Sequence, residues 1–275
     1  IPNEFSHFYN ENQLLNRNEA DTSEGLPSNQ IVDIRLADNK LIFGTSGGLG
    51  YVNFNENYFI GTFESNLQPI GSNPAVITKQ LNDSYVIVAS GGVSVEIGGA
   101  TYPQGTGIVY SLDNGNSWSY KNQPIDSIPE GSNKYQNLNW GGQELNQLAV
   151  TTDINNISYD LAIIGDYIYS ASWAGGIRRF KFQDFEPGLP DEDLNPWEAI
   201  PLPMDNQFTL ECGLIELDLY ELNPNDPGNG GSHNHKGFSV YSYNDSIIWV
   251  GTAGGINKGV INTTTNCIDW EHYTS

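Results

Sequence analysis

Two histidines separated by one residue, His233 and His235, lie in a stretch rich in glycine and asparagine, and Asp226 precedes the first by seven positions. Two imidazole nitrogens and one carboxylate form a ligand set that suits Zn²⁺ or Cu²⁺. The interpretation we favour is a solvated loop whose histidines titrate near neutral pH. A metal site built from Asp226, His233 and His235 is the alternative hypothesis.

Oxygen-rich acidic segments suit a harder cation. Residues 223–229 (NPNDPGN) and 184–193 carry the carboxylate and amide oxygens that Ca²⁺ prefers. Neither segment has the ligand spacing of a recognised calcium loop. The sequence therefore predicts no required cofactor, with calcium as the one cation that these loops suit.

The chain contains two cysteines, Cys212 and Cys267. Two are too few to define a disulfide scaffold, but they could pair if the segment around residue 212 folds back onto the last strand. Two buried free thiols are the alternative.

The sequence carries few residues or motifs that are typical of known enzyme classes. A sialidase-like site needs a cluster of arginines, whereas Arg178 and Arg179 are adjacent on one predicted strand and so face opposite ways. The motifs of serine hydrolases, P-loop proteins and zinc proteases do not occur. A glycosidase with two carboxylates stays open as an alternative, because acidic residues are plentiful. We expect no enzymatic activity and no catalytic residue.

Charge excludes another class of partner. The chain has 33 acidic and 11 basic residues, a formal net charge of -22, yet only 16% of its residues are charged. Such a field repels nucleic acid and anionic membrane. No apolar stretch approaches the roughly 20 residues that span a bilayer. We expect a secreted or cell-surface protein whose partners are proteins or polysaccharides.

An internal repeat sets the expected architecture. Four times an Asp or Asn begins a short apolar run that ends in two glycines, nine and ten residues later. Each copy is typical of a turn, a buried strand and a tight hairpin, because glycine tolerates a positive φ. The glycines of the four copies are Gly47 and Gly48, Gly91 and Gly92, Gly175 and Gly176, and Gly254 and Gly255.

Further apolar runs on either side of each copy predict three more strands, which gives a four-stranded antiparallel blade. The sequence therefore predicts an all-β β-propeller, with four complete blades in a single region that covers residues 1–275. The predicted segments are an outer strand at 5–9, blades at 28–63, 74–122, 157–202 and 238–274, and insertions at 123–156 and 204–237.

One segment matches a family motif. Ser111, Asp113, Gly115 and Trp118 follow the pattern S-x-D-x-G-x-x-W. This resembles the Asp-box of sialidases, sortilin-like receptors and bacterial surface propellers. The Asp and Gly are expected to form a turn between the third and fourth strands, with the Trp packed between blades. The resemblance implies a folding motif and no chemistry.

A second resemblance involves the repeat. The segment GLPSN at 25–29, followed by an apolar strand, and IWVGTAGGIN at 248–257 are similar to the two-component-regulator type of propeller repeat. Together the motifs resemble large secreted bacterial propeller proteins. This implies the fold and an extracellular or cell-surface location.

The predicted outer strand at 5–9 has no inner strands of its own, so five outer strands stand against four inner sets. We therefore expect the chain to be part of a larger propeller, with a closed four-bladed ring as the alternative. The favoured function is a scaffold or binding module, which could also serve as a subunit of a larger assembly. A sensor ectodomain, with a membrane helix beyond residue 275, and a carbohydrate-active hydrolase are the other hypotheses.

Overall fold

The structure is a computed structural model. It describes residues 25–56, 59–62, 71–72, 75–126, 135–148, 151–182, 196–213, 221–222 and 233–274. Apart from one 3₁₀ turn at Phe54–Glu56, the regular elements of this part of the chain are β-strands. Three sheets have four antiparallel strands, one has five and one has three. The all-β prediction with repeated four-stranded antiparallel sheets is confirmed.

Two sheets occupy the first part of the chain, and each has its strands in sequence order. Sheet 1 consists of β1 (Ile31–Ala37), β2 (Lys40–Thr45), β3 (Gly48–Asn53) and β4 (Phe59–Thr62). Sheet 2 consists of β5 (Val76–Leu81), β6 (Ser84–Ile97), β7 (Ala100–Ser111) and β8 (Ser119–Lys121).

Three sheets occupy the remainder. The small sheet has β9 (Tyr135–Trp140), β10 (Gln143–Leu148) and β16 (Glu221–Leu222), in the order β16, β10, β9. Sheet 3 has β11 (Ser158–Ile164), β12 (Tyr167–Ser172), β13 (Gly176–Lys181) and β14 (Glu198–Ile200). Sheet 4 has β17 (Gly237–Asn244), β18 (Ile247–Thr252), β19 (Gly255–Ile261) and β20 (Ile268–Tyr273), with β15 (Thr209–Leu210) added beside β20.

The chain divides into two compact units. Sheets 1 and 2 belong to the first, and sheets 3 and 4 with the small sheet belong to the second, which also takes the hairpin tip Ser94–Gly105. In the second unit, Tyr169 and Ile177 of sheet 3 share one buried apolar cluster with Ile248 and Trp270 of sheet 4. In the first unit, Ile42 of sheet 1 shares a cluster with Ile87 of sheet 2. Within each unit, sheets therefore pack face to face.

One hydrogen bond recurs between packed sheets. Asp33 on β1 accepts the backbone N–H of Val76 on β5, and Asp160 on β11 accepts that of Val240 on β17. The N···O distance is 2.9 Å in both cases. Each carboxylate also accepts the N–H of the residue that follows it. The first strands of neighbouring sheets are therefore fixed to one another in the same way in both units.

Three of the four glycine pairs lie at hairpins, as the repeat predicts. Gly47–Gly48, Gly175–Gly176 and Gly254–Gly255 connect the second strand of a sheet to the third. The prediction is wrong for Gly91 and Gly92, which lie inside strand β6. That hairpin turns instead at Gly98 and Gly99, where φ is +60° and +83° and no neighbouring atom would oppose a Cβ. A glycine pair can continue a strand as well as end it, so the pattern alone does not place the turn.

Several predictions fall outside the described residues. These are the outer strand at 5–9 and the acidic loops at 184–193 and 223–229. Among the residues that are described, no helix is long and apolar enough to cross a membrane.

The Asp-box residues form a closed turn between β7 and β8. The Ser111 hydroxyl accepts the Gly115 N–H at 2.8 Å and donates to Asp113, while Asp113 accepts the N–H and the hydroxyl of Ser117. Burial raises the pKa of Asp113, but the hydrogen bonds from Ser117 and Ser111 outweigh it, so the pKa lies below its ordinary value. Trp118 donates its indole N–H to the Gly115 carbonyl and lies in the buried cluster of sheets 1 and 2. The side chains of Ser111, Asp113 and Trp118 all hydrogen-bond within the turn, which is the arrangement of a folding motif.

We expect the substitution Trp118→Ala to lower the free energy of unfolding by about 3 kcal/mol, because a buried indole leaves a cavity between two sheets. Trp173→Ala is the matched control, since Trp173 is partly exposed and contacts Lys236 through its ring face. Its cost should stay below about 1 kcal/mol. Urea denaturation followed by circular dichroism measures both values, and equal losses would contradict the packing role of Trp118.

Candidate binding site

A cavity of about 790 Å³ opens in the second unit. Its size is within the range of roughly 300–1,000 Å³ that holds small molecules or short polymer segments. Polar groups, two tryptophans and the two cysteines line it. The lining residues are Asn139, Trp140, Gly141, Gly142, Arg179, Trp197, Glu198, Ala199, Cys212, Asn262, Thr265, Asn266, Cys267 and Asp269.

Arg179, on β13, is the charged group most deeply held in this site. Its Nε donates to Glu198 at 2.7 Å, and its Nη1 donates to the Tyr169 hydroxyl at 3.0 Å and to the Asn266 carbonyl at 2.7 Å. Burial works to lower the pKa of Arg179, but Tyr169 and Glu198 outweigh it and the pKa is raised. The guanidinium is therefore a permanent positive charge in a fixed orientation.

Aromatic rings enclose that guanidinium. Its central carbon lies 4.6 Å from the ring centroid of Tyr167, 5.0 Å from Trp140 and 5.8 Å from Tyr169. A cation over the face of such a ring is attracted by the ring quadrupole. Trp140 ends strand β9 of the small sheet and is buried, yet its indole Nε1 has no hydrogen-bond partner among the described residues. The small sheet thus contributes an unpaired donor beside the Arg179 charge.

A disulfide joins Cys212 to Cys267, with the Cα atoms 5.9 Å apart. It ties the segment that follows β15 to the turn before β20. Gly141 lies against this bridge with φ of +60°, and a Cβ on it would lie 2.5 Å from Cys212 Sγ. Only glycine fits there, so the turn after Trp140 can approach the sulfur atoms closely.

The rim of the cavity is polar. The side chain of Asn262 caps its own turn by accepting the N–H groups of Thr264 and Thr265. Asp269 accepts the Cys212 N–H at 2.8 Å, and Glu198 is partly exposed beside Arg179. Side-chain amides and carboxylates beside indole rings can accept and donate hydrogen bonds to hydroxyl groups while a ring packs on C–H surface. The arrangement suits a ligand rich in hydroxyl groups.

Trp197 forms one wall. Its indole N–H donates to the Asn122 carbonyl at 2.7 Å, and its ring meets Phe180 edge-on at 4.7 Å between centroids. Two contacts fix the ring, so it offers a rigid aromatic surface to a ligand.

The neighbouring Arg178 serves a different purpose. It faces the other side of sheet 3, where its Nη2 donates to Asp126 at 2.5 Å and to Thr151 at 3.0 Å. Asp126 in turn accepts the Thr151 N–H. The predicted opposite orientation of Arg178 and Arg179 is confirmed, and Arg178 is part of a buried ion pair that holds two loops on the sheet.

The structure describes two of the three residues of the predicted metal site. Asp226 is outside the described residues, His233 is exposed and His235 is buried. Within the described ranges, no group of three or more His, Cys, Asp or Glu side chains is arranged to hold a metal ion. The carboxylate of Asp205 accepts the N–H groups of His233 and Asn234 instead. The interpretation of a solvated loop is wrong for His235, because this side chain is buried and Asp205 fixes the backbone just before it.

Asn234 anchors the same segment. Its amide donates to the Pro203 carbonyl and to Asn257, and its Oδ1 accepts from Thr252 and Asn257, all within 2.8 Å. The side chain of Asn234 is fully buried. No sequence signal identified it, because an asparagine among glycines usually indicates a surface loop.

Comparisons with known proteins add little. No family model matches the chain, and no curated protein matches it. Among solved structures, an ancestral GH74 enzyme is 13% identical with a TM-score of 0.46, and the match covers 91% of this chain and 27% of that one. The extracellular domain of a protein assigned as a one component system of B. thetaiotaomicron is 12% identical with a TM-score of 0.33, over 90% and 28%.

Hsv2 of Kluyveromyces lactis is 10% identical with a TM-score of 0.33, over 90% of this chain and 73% of that one. The chain therefore spans little more than a quarter of the first two structures that it matches. The three TM-scores are below 0.5, so these likenesses carry no inference about function.

The burial of His235 generates a prediction about pH. Burial lowers its pKa from 6.5 to about 4, and the charge of Asp205 offsets only part of this. In the unfolded chain the imidazole of His235 is protonated below about pH 6.5, whereas in the folded chain it is protonated only below about pH 4. The free energy of unfolding therefore falls as the pH drops from 6.5 to 4. We expect the contribution to reach roughly 3 kcal/mol.

Urea denaturation at pH 7.5, 6, 5 and 4 measures this dependence. Compared with the wild type, His235→Gln should lose less stability between pH 7.5 and 4, while His233→Gln should behave as the wild type does because His233 is exposed. Parallel pH profiles for the wild type and His235→Gln would show that the fold does not lower the pKa of His235.

Proposed function

We propose that this chain is a non-enzymatic extracellular β-propeller module that binds a neutral polysaccharide in the cavity around Arg179. The observation that carries the proposal is the lining of that cavity, in which Trp197 forms a fixed aromatic wall beside the amides of Asn139 and Asn266 and the carboxylate of Glu198. Sugars present hydroxyl groups and apolar C–H faces together, and this lining offers partners for both.

The charge of the protein narrows the ligand class. A net charge of -22 disfavours acidic polysaccharides at long range, and the Arg179 charge is already neutralised by Glu198. An uncharged glycan is not repelled by the net charge, and it does not need a free cation in the cavity. A protein partner is the other class that suits such a module, and it would contact the rim more than the cavity.

The proposed propeller fold and the proposed extracellular location are supported by features outside the cavity. Sheets 1 and 2, and sheets 3 and 4, follow one another in the chain and pack within their units through the same carboxylate to N–H link. The Cys212–Cys267 disulfide supports an oxidising, extracellular compartment. A place as one subunit of a larger assembly is part of this proposal.

One observation favours a second candidate, a glycoside hydrolase. Two carboxylates, Glu198 and Asp269, line the same cavity, and a pair of carboxylates is the minimum for this chemistry. Both are engaged, Glu198 by Arg179 and Asp269 by the Cys212 N–H, which suits an acceptor of hydrogen bonds better than a proton donor. Release of reducing ends from any polysaccharide that binds, lost in Glu198→Gln, would support the hydrolase and overturn the non-enzymatic proposal.

A screen against immobilised neutral and acidic polysaccharides, with and without Ca²⁺, tests the binding proposal, and calorimetry then measures affinity for the best glycan. We expect Trp197→Ala to weaken binding about ten-fold because it removes the aromatic wall, and Asn139→Ala to weaken it less. Trp173→Ala, a tryptophan outside the cavity lining, is the matched control. Failure of every polysaccharide to bind, or equal binding by Trp197→Ala with an unchanged melting temperature, would contradict the proposal.

A further inference from the structure

Two hydrogen-bond donors among the residues that line the cavity are not used by the described part of the protein. Arg179 makes its hydrogen bonds through Nε and Nη1, so its Nη2 has no acceptor among the described residues. The ring of Trp140 lies 5.0 Å from the guanidinium carbon, and its buried indole Nε1 has no acceptor there either. A buried donor without an acceptor is unfavourable, and an acceptor on a ligand removes this cost. The two residues therefore favour a ligand that brings a strong acceptor to them.

The acceptor beside these donors is Glu198. Its Oε2 accepts the Nε–H of Arg179, whereas its Oε1 accepts no hydrogen bond from the described residues, and the side chain is 43% exposed. This carboxylate, together with Asp269 on the same lining, disfavours a carboxylate on the ligand because like charges repel. The ligand group that suits this place is therefore uncharged, with an acceptor for Arg179 and a donor for Glu198.

An apolar surface adjoins the same groups. Gly141, the residue after the unpaired indole, lies against both sulfur atoms of the disulfide, since a Cβ on it would be 2.5 Å from Cys212 Sγ and 3.0 Å from Cys267 Sγ. The residue before Cys267 gives its carbonyl to Arg179, so one turn holds both the bridge and the guanidinium. Both cysteines line the cavity. Cysteine sulfur is polarizable and packs as a small apolar group, so this wall suits a methyl group.

We propose that this part of the cavity binds the 2-acetamido group of an N-acetylated sugar, an inference that rests on the proposed binding of a neutral polysaccharide. The amide carbonyl accepts from Arg179 Nη2 and Trp140 Nε1, the amide N–H donates to Glu198 Oε1, and the methyl group packs on the disulfide. A hydroxyl group can also accept and donate, but it leaves the sulfur surface without an apolar contact. The acetamido group is neutral and supplies all three contacts.

Sheet 4 supplies an internal comparison for this site. Lys258 pairs with Glu271 across β19 and β20, as Arg179 pairs with Glu198 across β13 and β14, and each cation is the fourth residue of its strand. The Lys258 ammonium lies 3.2 Å from the Glu271 carboxylate, to which Tyr273 also donates its hydroxyl. None of these sheet 4 residues lines the cavity. Substitution of Lys258 therefore removes the equivalent cation outside the site and serves as a matched control.

Calorimetry of the full 275-residue chain with two matched oligosaccharides tests the proposal. The β-1,4-linked hexamers of N-acetylglucosamine and of glucose differ only in the acetamido group. We expect the acetylated hexamer to bind about ten-fold more tightly, because it gains one or two hydrogen bonds and the methyl contact. Equal affinities, or tighter binding of the glucose hexamer, would overturn the acetamido proposal and leave the binding of neutral glycans in place. Failure of every polysaccharide to bind would contradict both proposals.

The substitution Trp140→Phe removes the indole N–H and keeps an aromatic ring beside Arg179. We expect it to reduce the preference for the acetylated hexamer about five-fold, with the affinity for the glucose hexamer unchanged, because one acceptor bond is lost. Trp197→Ala should weaken the binding of both hexamers equally, and Lys258→Ala should weaken neither. A preference that stays at the wild-type value in Trp140→Phe, in a variant with native circular dichroism, would overturn the assignment of the acetamido group to this place.

Saturation-transfer NMR on the wild type needs no variant. In the bound hexamer of N-acetylglucosamine, the acetyl methyl protons should receive the strongest saturation, because the methyl group packs on the disulfide. N-acetylalanine methylamide carries the same amide without a sugar, and we expect it not to displace the hexamer at equal concentration. Displacement by this blocked peptide would assign the cavity to peptides, and a methyl signal weaker than those of the ring protons would place the acetyl group in solvent. Either result would overturn the proposal.

Discussion

The alternation of side chains along a β-strand is the constraint on which the rest of this structure depends. Each sheet in a face-to-face stack has two faces to account for, and successive residues of a strand must serve different neighbours. Arg178 and Arg179, which are adjacent on β13, illustrate this alternation. One guanidinium meets the buried Asp126 on one side of sheet 3, and the other meets Glu198 and three aromatic rings on the opposite side. A shift of one residue in the register of β13 would leave both charges buried without partners.

The cavity forms where elements outside the repeat meet a repeated strand. Trp140 comes from the small sheet, Cys212 from the segment after β15, and Asn266 from the turn before β20, while Arg179 and Glu198 belong to sheet 3 itself. Buried ionic groups stay favourable only when their hydrogen-bonding positions are satisfied. The turn before β20 supplies a carbonyl to Arg179, and the disulfide at Cys267 holds that turn in place.

Local patterns predicted local structure well, and long-range contacts marked the limit of sequence reasoning. The apolar runs, three glycine hairpins and the Asp-box turn depend on neighbours a few residues away, so their spacing identifies them. The turn of the second copy was misplaced because Gly91 and Gly92 fit an extended strand equally well. The burial of His235 and the cavity were missed because they depend on Asp205 and Trp140, which are distant in sequence and follow no repeat.

The comparison of sheets 3 and 4 shows what a covering sheet does to one and the same position. Lys258 and Glu271 are a partly exposed pair, in which water can supply the remaining partners of both groups. Arg179 and Glu198 occupy the corresponding positions, but the Arg179 side chain is buried, and the neighbouring turn replaces water with the Asn266 carbonyl while Tyr169 supplies a hydroxyl. Arginine suits the covered position because its planar guanidinium stacks on rings and spreads donors over several acceptors, which a lysine ammonium does less well. The guanidinium of Arg179 is thus buried because other elements cover this face of sheet 3, and its N–H groups donate mainly to protein acceptors. Because these charges are satisfied internally and the rim presents amides and indole, the cavity suits the uncharged ligand that we propose for it.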